Sequence, residues 1–339
     1  MIDFLIDVTY YLATFLVYLH VFLWIWNQLT MGICKSKEFL KGKVVLITGG
    51  NNGIGFETSV ELAKRGAKLI IGCRNTQNVE TRIQKMVPGA DIEVYRLDLS
   101  SNKSIRNFAE EVKSKYNAID TLINNAGMYT FEEKKSEDGY DLLMATNYLG
   151  HALLNHLLLD LVKRAGEASQ DYSRIILVSS MAGQNKRIAN ELCNLRTNNE
   201  YDIDLGVKTM RHQYGKSKLA QVLYAKHLAK LLKDEGCNTM VASLHPGFVR
   251  TDIFQGLPKG GYAKFVMWVS YVVGKTAYQG AQTTIYLATT NFSDFKDKSG
   301  NYFNDCRSRN WYDFLVPKVV EDPEACKALW EKTMALLKV

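Results

Sequence analysis

A tyrosine and a lysine stand four residues apart in the segment Tyr-Gly-Lys-Ser-Lys, as Tyr214 and Lys218. Four residues make about one turn of an α-helix, so the two side chains share a helix face. The lysine charge favours the tyrosinate. The pair therefore predicts a phenol with a pKa lowered toward neutrality, able to donate or accept a proton. Taken alone, the same spacing is more often a solvated helix face.

A second stretch, residues 48–55, reads Thr-Gly-Gly-Asn-Asn-Gly-Ile-Gly. Glycines between a strand and a helix allow a tight turn and a close approach of the backbone to a phosphate at the helix N-terminus. A dinucleotide site beside a proton-transferring pair predicts a hydride-transferring enzyme. The residues expected to contact the dinucleotide here are Gly49, Asn51, Asn52, Gly53, Ile54 and Gly55.

Short β-branched runs alternate with helical patterns along the chain, and this predicts a parallel sheet covered on both faces. We predict a single α/β domain over residues 35–339, doubly wound and of the Rossmann type, with ligands beyond the carboxyl ends of its strands. The predicted strands are 44–48, 68–73, 93–97, 121–123, 174–178 and 239–244. The predicted helices are 56–65, one ending near 86, 102–116, 141–162 and 213–232.

Polar residues follow three of these strands. Arg74 ends the second strand, where an arginine suits a 2′-phosphate, and this favours NADP(H), with NAD(H) as the alternative. Asp98 ends the third strand, where it either bonds the adenine amino group or caps the next helix. After the fourth strand, the sequence predicts a close backbone approach to the cofactor at Asn125, Ala126 and Gly127.

The N-terminal segment is apolar, and residues 8–34 contain no Asp, Glu, Lys or Arg. As a helix it would measure about 40 Å, against roughly 30 Å of bilayer hydrocarbon. A cleaved signal peptide would need a basic start and a shorter apolar core. We therefore predict a retained transmembrane anchor over residues 1–34. Lysines just after it favour a catalytic domain facing the cytosol, at the endoplasmic reticulum or lipid droplets.

Composition excludes two other classes of function. The net charge is +7, but the basic residues are scattered without an aromatic-interleaved patch, which argues against nucleic acid. Six cysteines form no CxxC pair, so we predict no metal site and free thiols. Cys34, beside the anchor, is either palmitoylated or a plain thiol. His151 and His156, on one long predicted helix, are expected to pack or cap rather than bind a ligand.

Seven motifs in order resemble the short-chain dehydrogenase/reductase family over about residues 42–305: TGGNNGIG, LDLS, NNAG, NYLG, VSS, YGKSK and HPGFVRTD. Within it, the anchor, GCRN, NYLGHALL and KTAYQGAQTTIY are similar to the membrane-anchored, retinol-dehydrogenase-like members. TNYLGHALLNHLLLDL and SGNYFND are equally similar to the dehydrogenase/reductase X-linked branch, linked to polyprenol metabolism.

The resemblance implies an active site of Asn147, Ser180, Tyr214 and Lys218. Tyr214 would be the acid or base and Lys218 would hold the nicotinamide ribose and lower the phenol pKa. Ser180, rather than Ser179, would bind the substrate oxygen, and Asn147 would hold a water. The residues implied to fix the nicotinamide are Pro246, Gly247, Val249 and Thr251. Unlike compact members, this chain carries an insertion between Ser180 and Tyr214, which we expect to loop over the pocket.

An apolar run at 265–273 predicts a lipophilic lid over about residues 252–275, with a buried core helix as the alternative. Together with the anchor, it predicts an NADP(H)-dependent oxidoreductase that interconverts a retinoid-like lipophilic alcohol with its aldehyde or ketone. A polyprenol or steroid substrate is one alternative. A catalytically silent nucleotide-binding scaffold is another. The family resemblance also allows a homodimer through the two long helices.

Overall fold

The computed structural model describes residues 10–11, 14–22, 25, 31–130, 132–168, 172–184, 210–250, 274–291, 295, 297–308 and 318–339. Thr251, the insertion at 185–209 and all but the last two residues of the predicted lid lie outside them. Much of the predicted anchor does too. Among the described helices, none has the length and apolar character needed to cross a membrane.

Seven parallel strands form one sheet in the described part of the chain. They are β1 Val44–Thr48, β2 Lys68–Cys73, β3 Ile92–Arg96, β4 Thr121–Asn124, β5 Ser173–Val178, β6 Thr239–Leu244 and β7 Tyr302–Phe303. Their order across the sheet is β3-β2-β1-β4-β5-β6-β7. This confirms the predicted doubly wound fold, with the strand order reversing between β1 and β4.

Helices cover both faces of the sheet. They are α1 Gly53–Lys64, α2 Val79–Met86, α3 Asn102–Lys115, α4 Gly150–Ala168, α5 Met210–Asp234, α6 Ala277–Thr289 and α7 Pro323–Leu337. In β1, Leu46 points into the core beneath α3, α4, α5 and α7, whereas Val45 and Ile47 point into the core beneath α1, α2 and α6. All three side chains are fully buried, which explains the continuously apolar strand.

The helix predicted at 141–162 is not regular. A short helical turn, Leu142–Met144, is followed by a π-helical turn, Ala145–Leu149, and only then by α4. The π-turn contains Asn147, and single π-turns inside helices are frequent at functional sites. Periodicity could not reveal this turn because all five of its residues are buried, so no exposed polar face marks it in the sequence.

The C-terminal helix α7 packs on α5. The Trp330 ring is stacked on Tyr224 with centroids 5.0 Å apart, and the Thr333 hydroxyl lies 2.6 Å from the Tyr148 hydroxyl. Tyr148 and Tyr224 are thereby buried. α7 therefore covers Tyr148 of the π-turn and Tyr224 of α5. The homodimer through the two long helices stays a prediction.

Candidate active site and nucleotide pocket

A cavity of about 510 Å³ opens where strands β1 to β6 end. This is the edge at which doubly wound folds bind their ligands. The wall includes fourteen of the predicted cofactor residues: Gly49, Asn51, Asn52, Gly53, Ile54, Gly55, Arg74, Asp98, Asn125, Ala126, Gly127, Tyr214, Lys218 and Pro246.

The glycine loop packs so closely on its own backbone and on Ala126 that side chains at Gly49 and Gly55 would collide with the protein. Gly49 has a φ of +68°, and a Cβ there would lie 3.0 Å from Ala126 Cα. A Cβ at Gly55 would lie 2.2 Å from the Gly49 carbonyl oxygen. The Asn52 side chain caps α1 by accepting from the Gly53 N–H at 2.9 Å. The loop and the α1 N-terminus therefore fit a dinucleotide phosphate.

Asn125 ties this loop to the end of β4. Its Nδ2 donates to the carbonyl oxygens of Thr48 at 2.8 Å and Gly49 at 3.3 Å. The Thr48 hydroxyl accepts the N–H groups of Asn125 and Ala126, both at 3.0 Å. The Asn125 side chain thus holds the pocket wall in place, which the turn sequence alone did not indicate.

Arg74 and Asp98 lie on the cavity wall beyond β2 and β3. Arg74 is exposed. Asp98 Oδ1 accepts from the Ser100 N–H at 2.9 Å and from the Ser100 hydroxyl at 2.7 Å. The N-cap of α3 is Ser101, not Asp98. Of the two interpretations of Asp98, the helix cap is therefore wrong, and the carboxylate instead orders the turn at the pocket.

The four predicted catalytic residues converge from three regions of the fold. Tyr214 and Lys218 lie one turn apart on α5, Asn147 lies in the π-turn, and Ser180 follows β5. The Tyr214 phenol hydrogen-bonds Ser180. The Ser179 hydroxyl instead donates to the Lys218 carbonyl oxygen at 2.6 Å. The geometry thus brings Ser180, rather than Ser179, to the phenol.

Burial has the largest effect on the pKa values of Tyr214 and Lys218. It raises the pKa of Tyr214 to about 12, against the opposing effect of the Ser180 hydrogen bond. Burial also lowers the pKa of Lys218 to about 7. The prediction that Lys218 lowers the phenol pKa is therefore wrong for this geometry, because desolvation disfavours the charged form of both groups. At neutral pH the Tyr214 phenol carries its proton.

The Lys218 ammonium group lies between β5 and the phenol. Its Nζ donates to the Val178 carbonyl oxygen at 2.9 Å and to Gln221 Oε1 at 3.2 Å, and lies 5.9 Å from the Tyr214 ring centroid. Lys218 is also the nearest neighbour of Gly127, where a Cβ would lie 3.3 Å from Nζ. A small residue at 127 therefore keeps the cavity open beside the lysine.

Asn147 is fully buried, and its side chain joins two elements. Its Oδ1 accepts the Met128 N–H at 2.8 Å, while Nδ2 donates to the Met128 carbonyl oxygen and the Ser217 hydroxyl, both at 3.1 Å. It therefore fixes the loop after β4 against α5, next to Tyr214. Its implied role in holding a water stays a prediction.

His151 connects the π-turn to the glycine loop. Its Nε2 lies 2.9 Å from the Thr48 hydroxyl and its Nδ1 lies 3.1 Å from the Asn147 carbonyl oxygen. The Thr48 hydroxyl already accepts two N–H groups, so we assign it as the donor to His151 Nε2. Nδ1 then carries the ring proton and donates to the Asn147 carbonyl oxygen. Burial lowers the pKa of His151 to about 3, so the imidazole is neutral. The predicted packing role of His151 is confirmed, whereas His156 is exposed.

Ten residues of the described cavity wall were not predicted, and Tyr129 and Thr146 are two of them. The Tyr129 ring meets the Tyr214 ring edge-on, with centroids 5.1 Å apart. The Thr146 hydroxyl is buried and has no hydrogen-bond partner among the described residues, although Thr146 lines the cavity. A buried polar group without a partner at a cavity fits a ligand contact. The one available signal was the position of each residue beside a family motif.

The segment after β6 is only partly on the wall. Pro246 lines the cavity, whereas Gly247 and Val249 are absent from the described wall. Gly247 has a φ of +89°, and Val249 forms a parallel bridge with Lys275. Val249 packs on Gly280 of α6, where a Cβ would lie 2.7 Å from Val249 Cγ2. The segment is thus braced by α6 behind the pocket.

Known proteins are similar to this chain in sequence and in fold. A family model for short chain dehydrogenases matches residues 43–192. The chain is 35% identical to retinol dehydrogenase 11 of Homo sapiens over 314 residues, covering 92% of this chain and 91% of that protein. It is 36% identical to retinol dehydrogenase 14 of Mus musculus over 306 residues, covering 86% and 85%.

Among solved structures, the RhlG/NADP complex of Pseudomonas aeruginosa superposes with a TM-score of 0.60 at 24% identity. The match covers 78% of this chain and 95% of that one. This structural likeness shows the fold. The sequence similarity to the two retinol dehydrogenases extends over 92% and 86% of this chain. On these grounds the chain belongs to the short-chain dehydrogenase family.

Proposed function

We propose that this protein is a membrane-anchored, NADP(H)-dependent oxidoreductase that interconverts a retinoid-like lipophilic alcohol with its aldehyde or ketone. Family membership makes the protein an oxidoreductase of alcohol and carbonyl groups that uses a nicotinamide dinucleotide. The observation that carries the reaction type is that Tyr214 and Lys218 line the glycine-loop cavity while Ser180 hydrogen-bonds the Tyr214 phenol. This arrangement also argues against a silent scaffold.

The bound dinucleotide would supply or accept the hydride, and the protein would handle the proton and the substrate oxygen. Tyr214, protonated at neutral pH because burial raises its pKa to about 12, would donate to that oxygen during reduction. Ser180 would hydrogen-bond the same oxygen and orient it. Lys218 would hold the ribose hydroxyls.

Arg74 supports the choice of NADP(H). It is exposed on the cavity wall where β2 ends, the place at which folds of this type read the adenosine ribose. The flanking residues, Cys73 and Asn75, carry no acidic side chain for a 2′-hydroxyl. A guanidinium suits a phosphate through charge-assisted hydrogen bonds.

The anchor and the lipophilic substrate are supported by the N-terminal segment and the relatives. Residues 14–22 are helical, and apolar side chains there are widely exposed, among them Phe15 at 61%, Val17 at 60% and Tyr18 at 71%. Exposed apolar surface of this kind suits lipid. Two relatives are named retinol dehydrogenases, and a retinoid would reach the site from the membrane. A polyprenol or a steroid remains the alternative substrate.

The test is a Tyr214→Phe variant of the full chain in detergent, assayed with NADPH and NADP⁺ against retinoid, polyprenol and steroid pairs. We expect wild-type turnover with a retinoid, reduced at least about 100-fold in the variant, because general acid–base catalysis contributes about 10²–10⁴ in rate. Tyr302→Phe, which also removes a phenol but lies on β7, serves as control. Retained turnover in Tyr214→Phe, or no turnover with any substrate in the wild type, would contradict the proposal.

A further inference from the structure

The segment just after the predicted anchor is docked on the catalytic domain. The Gly32 N–H donates to Asp305 Oδ1 at 3.2 Å. A Cβ at Gly32 would lie 1.9 Å from the Asp305 carbonyl oxygen, so the two backbones are in direct contact. Asp305 belongs to the turn that follows β7. Two chain segments from opposite ends of the sequence therefore run side by side here.

Each of these segments carries a cysteine, and both cysteines contact the same residue of α6. The Cys34 N–H donates to Gln282 Oε1 at 3.1 Å, and the Cys306 thiol donates to the Gln282 carbonyl oxygen at 3.5 Å. Cys34 Sγ also lies 3.6 Å from the Thr289 hydroxyl, and the Cys306 N–H donates to Thr283. Both thiols are free and half-buried.

The turn that presents Cys306 is conformationally unusual. Asp305 and Cys306 both have positive φ, +45° and +58°, which side chains other than glycine seldom adopt. Asp305 is held there by an ion pair with Lys275 and by the Gly32 N–H. Strained backbone persists where the surroundings enforce it, and it concentrates at functional sites. The position of the Cys306 thiol is thus set by its contacts rather than by local preference.

We propose that Cys34 and Cys306 are a reversible redox pair. A low-molecular-weight disulfide such as oxidised glutathione would convert them to a disulfide that ties the segment after the anchor to the β7 turn. This site does not depend on the proposed substrate or cofactor.

The reaction balances in two exchange steps. The Cys34 thiolate attacks one sulfur of the oxidant, whose S–S bond breaks and releases one glutathione thiolate. The Cys306 sulfur then attacks Cys34 in the mixed disulfide and releases the second glutathione. The two protein thiols together lose two electrons and two protons, and the two glutathione thiols that form take up these electrons and protons.

The order of the steps follows from burial. Desolvation raises the pKa of the Cys306 thiol to about 12, with further raising effects from the neighbouring Cys34 thiol and Asp305, opposed by Thr283 and Lys275. Cys306 is therefore almost wholly protonated at neutral pH and a poor first nucleophile. Cys34 is the residue that meets the oxidant, and a Cys34 engaged in this pair cannot carry a lipid.

The disulfide would also brace the back of the pocket. Gln282, which both cysteines contact, lies on α6 only two residues after Gly280. Gly280 packs against Val249 and, through a second contact, against Ile54 of the glycine loop. Closing the pair would therefore restrain the helix that supports the segment after β6.

The experiment uses the full chain in detergent micelles, treated with excess oxidised glutathione, alkylated and digested for mass spectrometry. We expect a peptide joining Cys34 to Cys306, at least about tenfold more abundant than any other cysteine pair and reversed by dithiothreitol. It should be lost in Cys34→Ser and in Cys306→Ser. It should be retained in Cys237→Ser, a matched control at another half-buried cysteine.

Finding Cys34 and Cys306 only as separate glutathione adducts, or only in disulfides between two chains on a non-reducing gel, would overturn the proposal. If either serine variant fails to fold, the wild-type peptide map alone decides. A second measurement is the urea midpoint. Oxidised wild type should unfold at a higher urea concentration than reduced wild type, and Cys237→Ser should show the same difference. Cys34→Ser should unfold at the same urea concentration with and without oxidation.

Discussion

Arg74 is the side chain on which the proposed dinucleotide preference depends. Replacing it with alanine should raise the KM for NADPH about 10-fold to 100-fold, because a hydrogen-bonded charge pair contributes about 1.5–3 kcal/mol. The KM for NADH should change less than about twofold, since NADH has no 2′-phosphate. Steady-state kinetics with each dinucleotide, at saturating carbonyl substrate, measures both values. The folded state should be unaffected because Arg74 is exposed.

Lys85→Ala is the matched control, since Lys85 is another exposed cation on the nearby helix α2. It removes the same charge without removing a residue of the cavity wall. Equal losses for NADPH and NADH in Arg74→Ala, or an equal NADPH effect in Lys85→Ala, would count against the phosphate contact.

Tyr214 and Lys218 illustrate what spacing can and cannot tell. Their four-residue separation correctly placed them on one helix face. The family pattern selected Ser180 over Ser179; Ser180 hydrogen-bonds the Tyr214 phenol, and its role toward the substrate stays a prediction. The sequence did not reveal that both side chains are buried, which reverses the expected pKa direction for the phenol. Burial depends on what packs around a residue, and a spacing rule contains no such information.

His151 shows the same limit from another side. A histidine on an apolar helix face was correctly expected to pack. Its hydrogen bond to Thr48 spans 103 positions of the sequence, and its bond to the Asn147 carbonyl spans four. Only the fold shows that this packing residue spans the nucleotide loop and the catalytic turn.

At the scale of elements, α7 is predicted to stabilise α5. Trp330→Ala removes the ring stacked on Tyr224 and a partly buried apolar surface. We expect the free energy of unfolding to fall by about 2 kcal/mol, below the value for a fully buried tryptophan. Urea unfolding followed by circular dichroism measures the loss as a lower midpoint.

Lys327→Ala lies on the same helix with an exposed side chain and serves as control. Its urea midpoint should stay close to that of the wild type. If Trp330→Ala unfolds at the same urea concentration as Lys327→Ala, the stack contributes nothing to the fold and α7 is only loosely attached.

The bounds of three short strands could be predicted to the residue. β1, β2 and β6 were predicted correctly because each is a largely apolar run with glycine or polar residues beside it. The π-turn at Asn147 and the two-residue strand β7 were missed. Neither has a periodic pattern, and both depend on tertiary contacts, such as the β7 pairing of Tyr302 with Ser243.

At the scale of the whole molecule, we predict on which side of the membrane the catalytic domain lies. Protease added to intact microsomes should digest the catalytic domain if it faces the cytosol, whereas a resident lumenal protein should survive until detergent is added. Lysines after residue 34 provide the physical reason, since positive flanks stay on the cytosolic side. Full protection of the domain would reverse the orientation, and release by alkaline carbonate would contradict a spanning anchor.

The parallel sheet has a consequence for how the chain folds. Among the seven described strands, no two neighbours are joined by a hairpin; Val45 pairs with Thr121, and Ser243 pairs with Tyr302. Each pairing requires the closure of a long loop before any contact compensates the lost entropy, so refolding should be slow. Tyr214, Ser180, Asn147 and the glycine loop meet only after most of these loops have closed. Catalytic competence is therefore among the last properties that the refolding chain acquires.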